Sequence, residues 1–321
     1  MKERRKRNMS GTGLLFLFCL LMLCGCAQIT GFMENTEVSG REVESLAAEK
    51  EDDTVLLGGM PVGIYMETDG VLVLDTEKMT GMDGKEYTPA QGVVSSGDYI
   101  TEVNHQKIEE KKQLMDLVEH LDGEKVLLTV RRENTILEKK LTPVQISKGN
   151  YRLGIWVRDN VQGLGTITFL TKNNRFAALG HGIHDIDTST LLTIKRGTLY
   201  RTSIQKVQKG SKGNPGTMEG IIVYNRFHQL GAIEKNTDAG IYGELNSDRS
   251  WIGEEVSIQV AKKEEIKTGE ARIRCYIDGE VKEYTICITQ IDKESDQVNK
   301  GMVIQVTDTE LLEKTGGIIQ G

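Results

Sequence analysis

The chain has 321 residues, of which 38% are hydrophobic, 27% are charged and 5% are aromatic, with 35 glycines and 4 prolines. This balance excludes a collagen, a coiled coil and a polytopic membrane protein, and it favours a turn-rich β protein of about two domains. Acidic residues outnumber basic ones by 47 to 40, which argues against a nucleic-acid-binding protein because such a protein needs a cationic surface for phosphates.

The first 27 residues predict a signal peptide or a membrane anchor. The mostly basic run Lys2–Arg7 precedes the apolar stretch Leu14–Cys26, which has 13 residues. As a helix this stretch would be about 20 Å long, whereas a hydrocarbon core is about 30 Å thick. The stretch therefore fits the hydrophobic region of an export signal, and the chain is predicted to be exported.

Cys26 is a candidate for lipidation because Leu23–Cys26 resembles a bacterial lipoprotein box. Signal cleavage, an uncleaved anchor and a lipid on Cys26 are alternatives that the sequence leaves open. Residues 28–53 are polar and acidic with little to bury, which is typical of a mobile stalk.

Residues 54–146 are predicted to form a first folded module. Val71–Leu74 and Val126–Val130 are short apolar runs of the kind found in buried strands. The segment Glu109–Leu121 carries apolar residues at positions 114, 117, 118 and 121. This spacing predicts an amphipathic helix with one buried face.

Two stretches of this module, Gly59–Ile64 and Gln91–Asn104, resemble a PDZ domain. The resemblance implies that an extended peptide adds as a strand beside the helix, with its carboxylate held by backbone N–H groups of an X-apolar-Gly-apolar loop. Val62, Gly63 and Ile64 match that loop and are the candidate peptide-binding residues, since glycine lets the backbone turn close to a ligand. The alternative is a tight turn that enters an edge strand.

Residues 150–321 are predicted to form a second module of strands and turns with almost no helical periodicity. Many short strands separated by glycine turns indicate a sandwich or a barrel. The clearest predicted strands are Gly163–Leu170, Gly220–Tyr224, Glu255–Val260 and Met302–Val306.

Cys275 and Cys287 flank a predicted hairpin with a tight turn at Asp278–Gly279. Such a turn does not place these two cysteines opposite each other, so two buried thiols are predicted rather than a disulfide.

Among the five histidines, His181 has the context best suited to chemistry. Glycines flank it and leave its ring approachable, and small residues precede it as at the end of a barrel strand. A surface or turn histidine is the plain alternative. A metal site that adds His184, Asp185 and Asp187 is another, but the spacing matches no standard zinc pattern, and the aspartates are better suited to closing a turn.

The stretch Ala178–Thr188 resembles the histidine motif of the stage IV sporulation protein B peptidases, the S55 family of serine peptidases. Family members carry an export signal, a PDZ domain and a peptidase domain in this order, so the resemblance covers nearly the whole chain. It implies a mainly β fold in which a PDZ domain precedes a chymotrypsin-like double β-barrel. Three further stretches agree with the family: Tyr151–Asp159, Lys209–Gly216 and Lys300–Gly321.

The resemblance implies that His181 is a general base and that Asp308 is the acid that orients it. A serine hydroxyl is a poor nucleophile until an imidazole accepts its proton, and a carboxylate fixes the imidazole tautomer. Asp308 also fits a helix N-cap, and one residue can hold both roles.

In the family the nucleophile lies in the sequence Met-Ser-Gly-Ser-Pro, directly after the stretch that ends here at Gly321. None of the serines in the chain has that context, so the peptidase domain is expected to be C-terminally incomplete and inactive as it stands. A non-catalytic, exported PDZ-type peptide-binding protein, or a pseudoenzyme, is the alternative function.

The resemblance further implies an endopeptidase of sporulation signalling. It would cleave a membrane-bound regulatory protein, so that an intramembrane protease activates a late sigma factor. The expected location is the space across the forespore membrane, with membrane attachment through the N-terminus. The expected partners are a protein substrate and a PDZ-bound peptide, which the chain itself could supply, and neither a cofactor, a metal nor a nucleic acid is expected.

Overall fold

The computed structural model describes residues 54–295, 297–298 and 300–320, and these residues are mainly β. The mainly β character predicted from the sequence is therefore confirmed. The predicted export segment with Cys26, and the predicted stalk, lie outside the described residues. Within the described part of the chain, no helix has the length and apolar character needed to cross a membrane.

The described residues form 22 strands and two α-helices. The helices are α1 (Lys111–Glu119) and α2 (Thr309–Thr315). The strands are β1 (Thr54–Leu57), β2 (Pro61–Thr76), β3 (Met79–Thr80), β4 (Glu86–Tyr87), β5 (Tyr99–Val103), β6 (Gln106–Lys107), β7 (Val126–Arg132), β8 (Thr135–Leu141), β9 (Val144–Ser147), β10 (Asn150–Arg152), β11 (Ile155–Leu170), β12 (Arg175–Ala178), β13 (Ile194–Tyr200), β14 (Thr202–Gln208), β15 (Gly216–Ile222), β16 (Gln229–Thr237), β17 (Gly240–Leu245), β18 (Ser257–Gln259), β19 (Gly269–Ile277), β20 (Glu280–Ile291), β21 (Met302–Val306) and β22 (Ile319–Gln320).

Six antiparallel strands close into a barrel. Their order is β11–β12–β17–β16–β13–β2, and β2 pairs back to β11. Alternate residues of a strand point to opposite faces, so Val62, Ile64 and Met66 of β2 all lie inside the barrel and are at most 2% exposed. The barrel core consists of Leu56, Met60, Val62, Ile64, Met66, Ile167, Leu170, Phe176, Ala178, Leu199, Leu230, Ile233, Ile241, Leu245 and Ile252.

A second core lies between α1 and the strands β5, β7 and β8, and we call it the first-module core. It consists of Val71, Val73, Ala90, Val94, Ile100, Val103, Ile108, Leu114, Val126, Leu128, Val130, Leu141 and Leu153. Val71 and Val73 belong to β2, and Ile155 and Val157 of β11 pack against this core. The long strands β2 and β11 therefore contribute residues to both cores.

The barrel core includes residues from the predicted first module, residues 54–146. Leu56, Met60 and the first half of β2 belong to the barrel core, because β1 pairs with β11 through Leu56 and Leu170. The change of core occurs at Thr68–Val71, where the pairing of β2 with β11 shifts register between Arg158 and Asn160. The first module is therefore inserted between strands of the barrel.

Local predictions agree with these elements. The predicted helix 109–121 contains α1, which begins after Glu110 because the backbone N–H of Glu110 donates to Gln113 Oε1 (3.2 Å). The predicted strands Val71–Leu74 and Val126–Val130 lie in β2 and β7, and Met302–Val306 is β21.

The C-terminal strands form two three-stranded sheets, β14–β15–β22 and β19–β20–β21. Ile277, Tyr284 and Leu311 are buried between the second sheet and α2, and Ile319 of β22 packs against them. The described residues thus contain one closed barrel. Most strands of residues 150–321 that are not part of this barrel lie in the two three-stranded sheets.

The predicted hairpin at Asp278–Gly279 is present, with positive φ at both residues (53° and 94°). In its ladder Cys275 lies opposite Lys282, and Cys287 lies opposite Glu270. Both thiols are free, as predicted, but they are half-buried rather than buried.

Candidate active site

His181 lies on the loop between β12 and β13, residues 179–193, which we call the histidine loop. Leu179 and Gly180 both have positive φ (73° and 75°) and turn the chain away from the barrel strand. His181 is exposed, whereas Gly182 is buried. A side chain at Gly182 would meet Leu191 and the carbonyl of Thr237, so a glycine is required for the loop to pack this closely.

The hydrogen bond of the His181 ring defines its tautomer. His181 Nδ1 lies 3.0 Å from the carbonyl oxygen of Gly182. A carbonyl oxygen only accepts, so Nδ1 carries the hydrogen, and Nε2 of the neutral ring is left as a proton acceptor. The Nδ1 atom of His184 lies 3.2 Å from the same oxygen. His184 Nε2 in turn lies 3.7 Å from Asp238 Oδ1.

Asp185 closes the far part of the histidine loop. Its side chain is fully buried, and Oδ1 accepts hydrogen bonds from the backbone N–H groups of Asp187 (3.0 Å) and Thr188 (2.9 Å). Arg158 of β11 pairs with Oδ2 of Asp185 and, at 3.1 Å, with Asp187. The aspartates of this stretch therefore close a turn, as predicted.

The underside of the histidine loop rests on residues of the first module. Leu192 is buried against Leu72 and Tyr99, with Ile183 packed beside them. The Tyr99 hydroxyl accepts a hydrogen bond from the backbone N–H of Thr193 (3.1 Å). The loop is thus held by both the barrel and the first module.

Asn236, near the end of β16, holds the histidine loop through three hydrogen bonds. Its Oδ1 accepts from the Ile183 N–H (2.9 Å), and its Nδ2 donates to the carbonyls of Ile183 and Leu192 (2.9 Å each). Arg158 lies in the stretch Tyr151–Asp159 that agrees with the family, but Asn236 does not stand out by its sequence context, because a single polar residue in a strand carries no local signal of what it contacts.

Asp308 is the N-cap residue of α2, as the sequence allows. Its Oδ1 accepts from the Leu311 N–H (3.1 Å) and its Oδ2 from the Thr285 N–H (3.4 Å). These partners lie on α2 and β20, whereas the ring of His181 bonds within its own loop. Among the described contacts, none joins the Asp308 carboxylate to His181.

Two stretches that carry the family resemblance pack together. The Gly210 N–H donates to the Thr315 carbonyl at the end of α2 (2.7 Å). Beyond this point β22 adds in parallel to β15, with Ile319 opposite Gly216. The chain that leaves α2 is thereby directed along β15, whose Gly220 lies close to Leu164 of the barrel strand β11.

The predicted peptide-binding loop at Val62, Gly63 and Ile64 is corrected by the structure. These residues lie inside β2, which pairs with β11 on one edge and with β13 on the other. Val62 and Ile64 face the barrel core. Their backbone is therefore part of a closed ladder and offers no free edge to a peptide.

Gly63 is explained by packing rather than by a turn. A Cβ atom at Gly63 would lie 2.5 Å from Cγ2 of Ile222. Next to this contact, the ring of Tyr224 stacks edge-on against Tyr65 and Tyr200. Burial raises the pKa of the Tyr224 phenol above its ordinary value.

A groove of about 660 Å³ lies between α1 and the β10–β11 segment. Leu114, Met115 and Val118 line it from the helix, and Leu153 and Trp156 line it from the other side.

The same groove has an open strand edge. Gly154, with a φ of 67°, stands before β11 in an apolar-Gly-apolar sequence. At Ile155–Val157, β11 pairs with β2 on one edge only, as far as the described strands show. The groove therefore presents an unpaired strand edge opposite a helix.

An antiparallel β-barrel that presents a histidine on a tightly held loop is an arrangement suited to a β-rich peptidase. The family model for the SpoIVB peptidase S55 domain matches residues 149–321, which is more than half of the chain. The chain belongs to this family, and the recognition made from the sequence is confirmed.

The chain is also similar to a protein of Helicobacter pylori (strain J99) named "Putative zinc metalloprotease". The two are 28% identical over 180 residues, which cover 49% of this chain and 50% of the relative. The chain thus spans about half the length of this curated relative. Both comparisons are with proteins whose names describe proteolytic enzymes.

Proposed function

We propose that this chain is a serine endopeptidase in which His181 is the general base. The observation that carries the proposal is the His181 ring, whose Nδ1–H bonds to the Gly182 carbonyl (3.0 Å). Its Nε2 is then the atom that accepts a proton from a nucleophile. Membership of the S55 peptidase family supports this assignment.

The remaining parts of the catalytic unit are proposed from the family resemblance. Asp308 is the acid whose charge would stabilise the imidazolium form of His181 while the Gly182 carbonyl holds Nδ1–H. The nucleophile is a serine in the sequence Met-Ser-Gly-Ser-Pro after Gly321. The direction of β22 along β15 supports this placement, because Gly220 of β15 lies close to Leu164 of the barrel.

The biological role is also proposed from the family resemblance. The enzyme is exported across the forespore membrane, with its N-terminus or a lipid on Cys26 as the tether. There it cleaves a membrane-bound regulatory protein, and an intramembrane protease then activates a late sigma factor.

The test compares histidine variants in a chain that carries Met-Ser-Gly-Ser-Pro after Gly321, with self-cleavage and cleavage of unfolded casein as the assays. His181→Ala should lower kcat by about 10⁴-fold or more, since the serine then has no base. His120→Ala is the matched control, because His120 Nδ1 also bonds to a backbone carbonyl, that of Asp116 (2.6 Å), but on α1. Equal rates for the parent and His181→Ala would exclude His181 as the base.

A second proposed function is peptide binding in the groove beside α1. The unpaired edge of β11 at Ile155–Val157 supports it, because an extended peptide can add there as a strand. Lys111 and Arg152 line the groove together with Glu77 and Glu119, and the two basic residues are the candidates to bind a terminal carboxylate. This groove takes the place of the loop predicted at Val62–Ile64.

The probe for this groove is an apolar hexapeptide with a free terminal carboxylate, and its terminal amide is the control. Binding is followed through the fluorescence of Trp156 in a Trp251→Phe background. Val118→Lys should raise the Kd by at least tenfold because it places a charge on the apolar wall. Equal binding of acid and amide, or no effect of Val118→Lys, would contradict peptide docking at this place.

A further inference from the structure

Asn236 reaches from the barrel strand β16 to the peptide group next to His181. Its Oδ1 accepts the Ile183 N–H at 2.9 Å, and its Nδ2 donates to the carbonyls of Ile183 and Leu192, also at 2.9 Å. The amide uses its acceptor and both donor directions on one short loop. Such a side chain has little freedom to rotate, so the backbone it holds is fixed as well.

The Ile183 N–H and the Gly182 carbonyl belong to the same peptide group. A peptide group is planar, so a hydrogen bond that fixes the N–H also fixes the direction of the carbonyl. The Gly182 carbonyl is the acceptor for His181 Nδ1 at 3.0 Å. The Gly182 N–H is held separately, by the carbonyl of Asp238 at 3.2 Å.

We propose that Asn236 is a positioning residue for His181. By holding the Gly182–Ile183 peptide plane, it keeps the Gly182 carbonyl on Nδ1 and so leaves Nε2 as the proton acceptor. The inference rests on the proposed function only in giving this Nε2 a catalytic task. Asn236 does not touch substrate or the reacting atoms, and its effect passes through one backbone carbonyl.

Other polar groups at this place act on different atoms. His184 Nδ1 lies 3.2 Å from the same Gly182 oxygen, and its Nε2 lies 3.7 Å from Asp238. Asp185 is paired with Arg158 and binds residues farther along the loop. Among the described contacts, only Asn236 binds the N–H of the peptide whose carbonyl holds His181.

The experiment measures the tautomer of His181 directly in the full chain. The protein is labelled with ¹⁵N-histidine, and the ring nitrogens are observed by NMR at pH 8, above the ordinary histidine pKa of about 6.5. His181→Gln assigns the signal. The parent should show Nδ1–H, and Asn236→Ala should shift the ring towards Nε2–H. Asn246→Ala is the control, because Asn246 Nδ2 donates to the Gln229 carbonyl (2.9 Å) at the other end of β16.

A parent with Nε2–H, or a folded Asn236→Ala protein that keeps Nδ1–H, would overturn the proposal. If Asn236→Ala does not fold, Asn236→Asp is used to test whether the hydrogen bond to the Ile183 N–H sets the His181 tautomer. It retains an oxygen for the Ile183 N–H and loses both donors, so it should keep Nδ1–H, and a change to Nε2–H would overturn the proposal.

Kinetics separate this proposal from the proposed function. In the chain completed with Met-Ser-Gly-Ser-Pro, Asn236→Ala should lower kcat about tenfold with little change in KM, since orientation of the base is impaired and substrate contacts are not. If the chain with Met-Ser-Gly-Ser-Pro is inactive, the NMR measurement of the His181 tautomer still tests the positioning role of Asn236. If it is active but Asn236→Ala leaves both tautomer and kcat unchanged, only the role of Asn236 is lost.

Discussion

At the scale of single residues, Asp308 is placed to serve as a helix cap, and its carboxylate is assigned a second role by the family resemblance. Substitution by Asn or Ala separates the two. Asn caps a helix as well as Asp does, whereas Ala costs about 1 kcal/mol. Asp308→Asn keeps the cap and loses only the long bond from the Thr285 N–H (3.4 Å), so it should retain more of the parent's unfolding free energy than Asp308→Ala, which also loses the cap.

Catalysis by a chain that carries Met-Ser-Gly-Ser-Pro after Gly321 should respond differently to the same variants. In the proposed role, the charge of Asp308 stabilises an imidazolium. Asp308→Asn removes that charge, so on this proposal kcat should fall by up to about 10⁴-fold although the helix is intact. Unfolding in urea and casein cleavage are measured on the same preparations. Full activity of Asp308→Asn would show that the capping role is the only one.

Cys275 gives a prediction for alkaline pH. Burial raises the pKa of its thiol to about 11, from an ordinary value of 9.0. The folded protein holds this proton more tightly than the unfolded chain does, so the resulting stability is present below pH 9 and is lost as the pH rises towards 11. The unfolding free energy of the parent should fall more steeply over this range than that of Cys275→Ala, in which the effects of other titrating groups are unchanged.

Thiol labelling tests the same cause. At pH 8 about one Cys275 side chain in a thousand is a thiolate, which is the reactive form. Iodoacetamide should therefore modify Cys275 at least tenfold more slowly in the native protein than in guanidinium chloride. Equal rates in the two states would contradict the effect of burial.

At the scale of elements, the outer face of β2 is held close to β15 at Gly63. Gly63→Ala should destabilise the protein by about 1 to 3 kcal/mol, because its Cβ would lie 2.5 Å from Ile222 Cγ2. Gly163→Ala is the control on the neighbouring strand, since a Cβ there meets no atom within 4 Å. The double variant Gly63→Ala/Ile222→Ala should recover part of the loss, and additive effects in chemical denaturation would argue against the contact.

The secondary-structure elements that could be predicted are those whose type follows from the local sequence pattern. Helical spacing specifies α1, Asp278–Gly279 specifies a hairpin, and the short run rich in Val and Ile in β21 specifies a strand. His181 was identified by its glycine neighbours and by the family resemblance.

Long-range pairing could not be predicted in the same way. Val62–Ile64 has the sequence of a ligand-binding loop, and only its partners on β11 and β13 show that it is a barrel strand. Asn236 carries no signal for the same reason, since its partners lie more than 40 residues away in the sequence.

At the scale of the whole molecule, the barrel core and the first-module core share β2 and β11. Unfolding of one core removes strands from the other, so the described residues should unfold in one cooperative transition. Trp156 lines the groove of the first module, and Trp251 packs against the barrel core. Trp251→Phe and Trp156→Phe proteins should therefore give the same fluorescence midpoint in urea, and two distinct midpoints would show that the cores unfold independently.

The shared strands also restrict how the two cores can move. Two domains joined by a flexible tether can swing freely, whereas here the connections are strands already bonded to their neighbours. The larger of the two register shifts between β2 and β11 lies near Thr68–Val71, and the smaller lies between Trp156 and Val157. The Tyr99–Thr193 hydrogen bond lies beside the larger shift. Occupancy of the groove would therefore reach the barrel as a flexing of one continuous sheet at this bend, rather than as a rigid-body rotation about a linker.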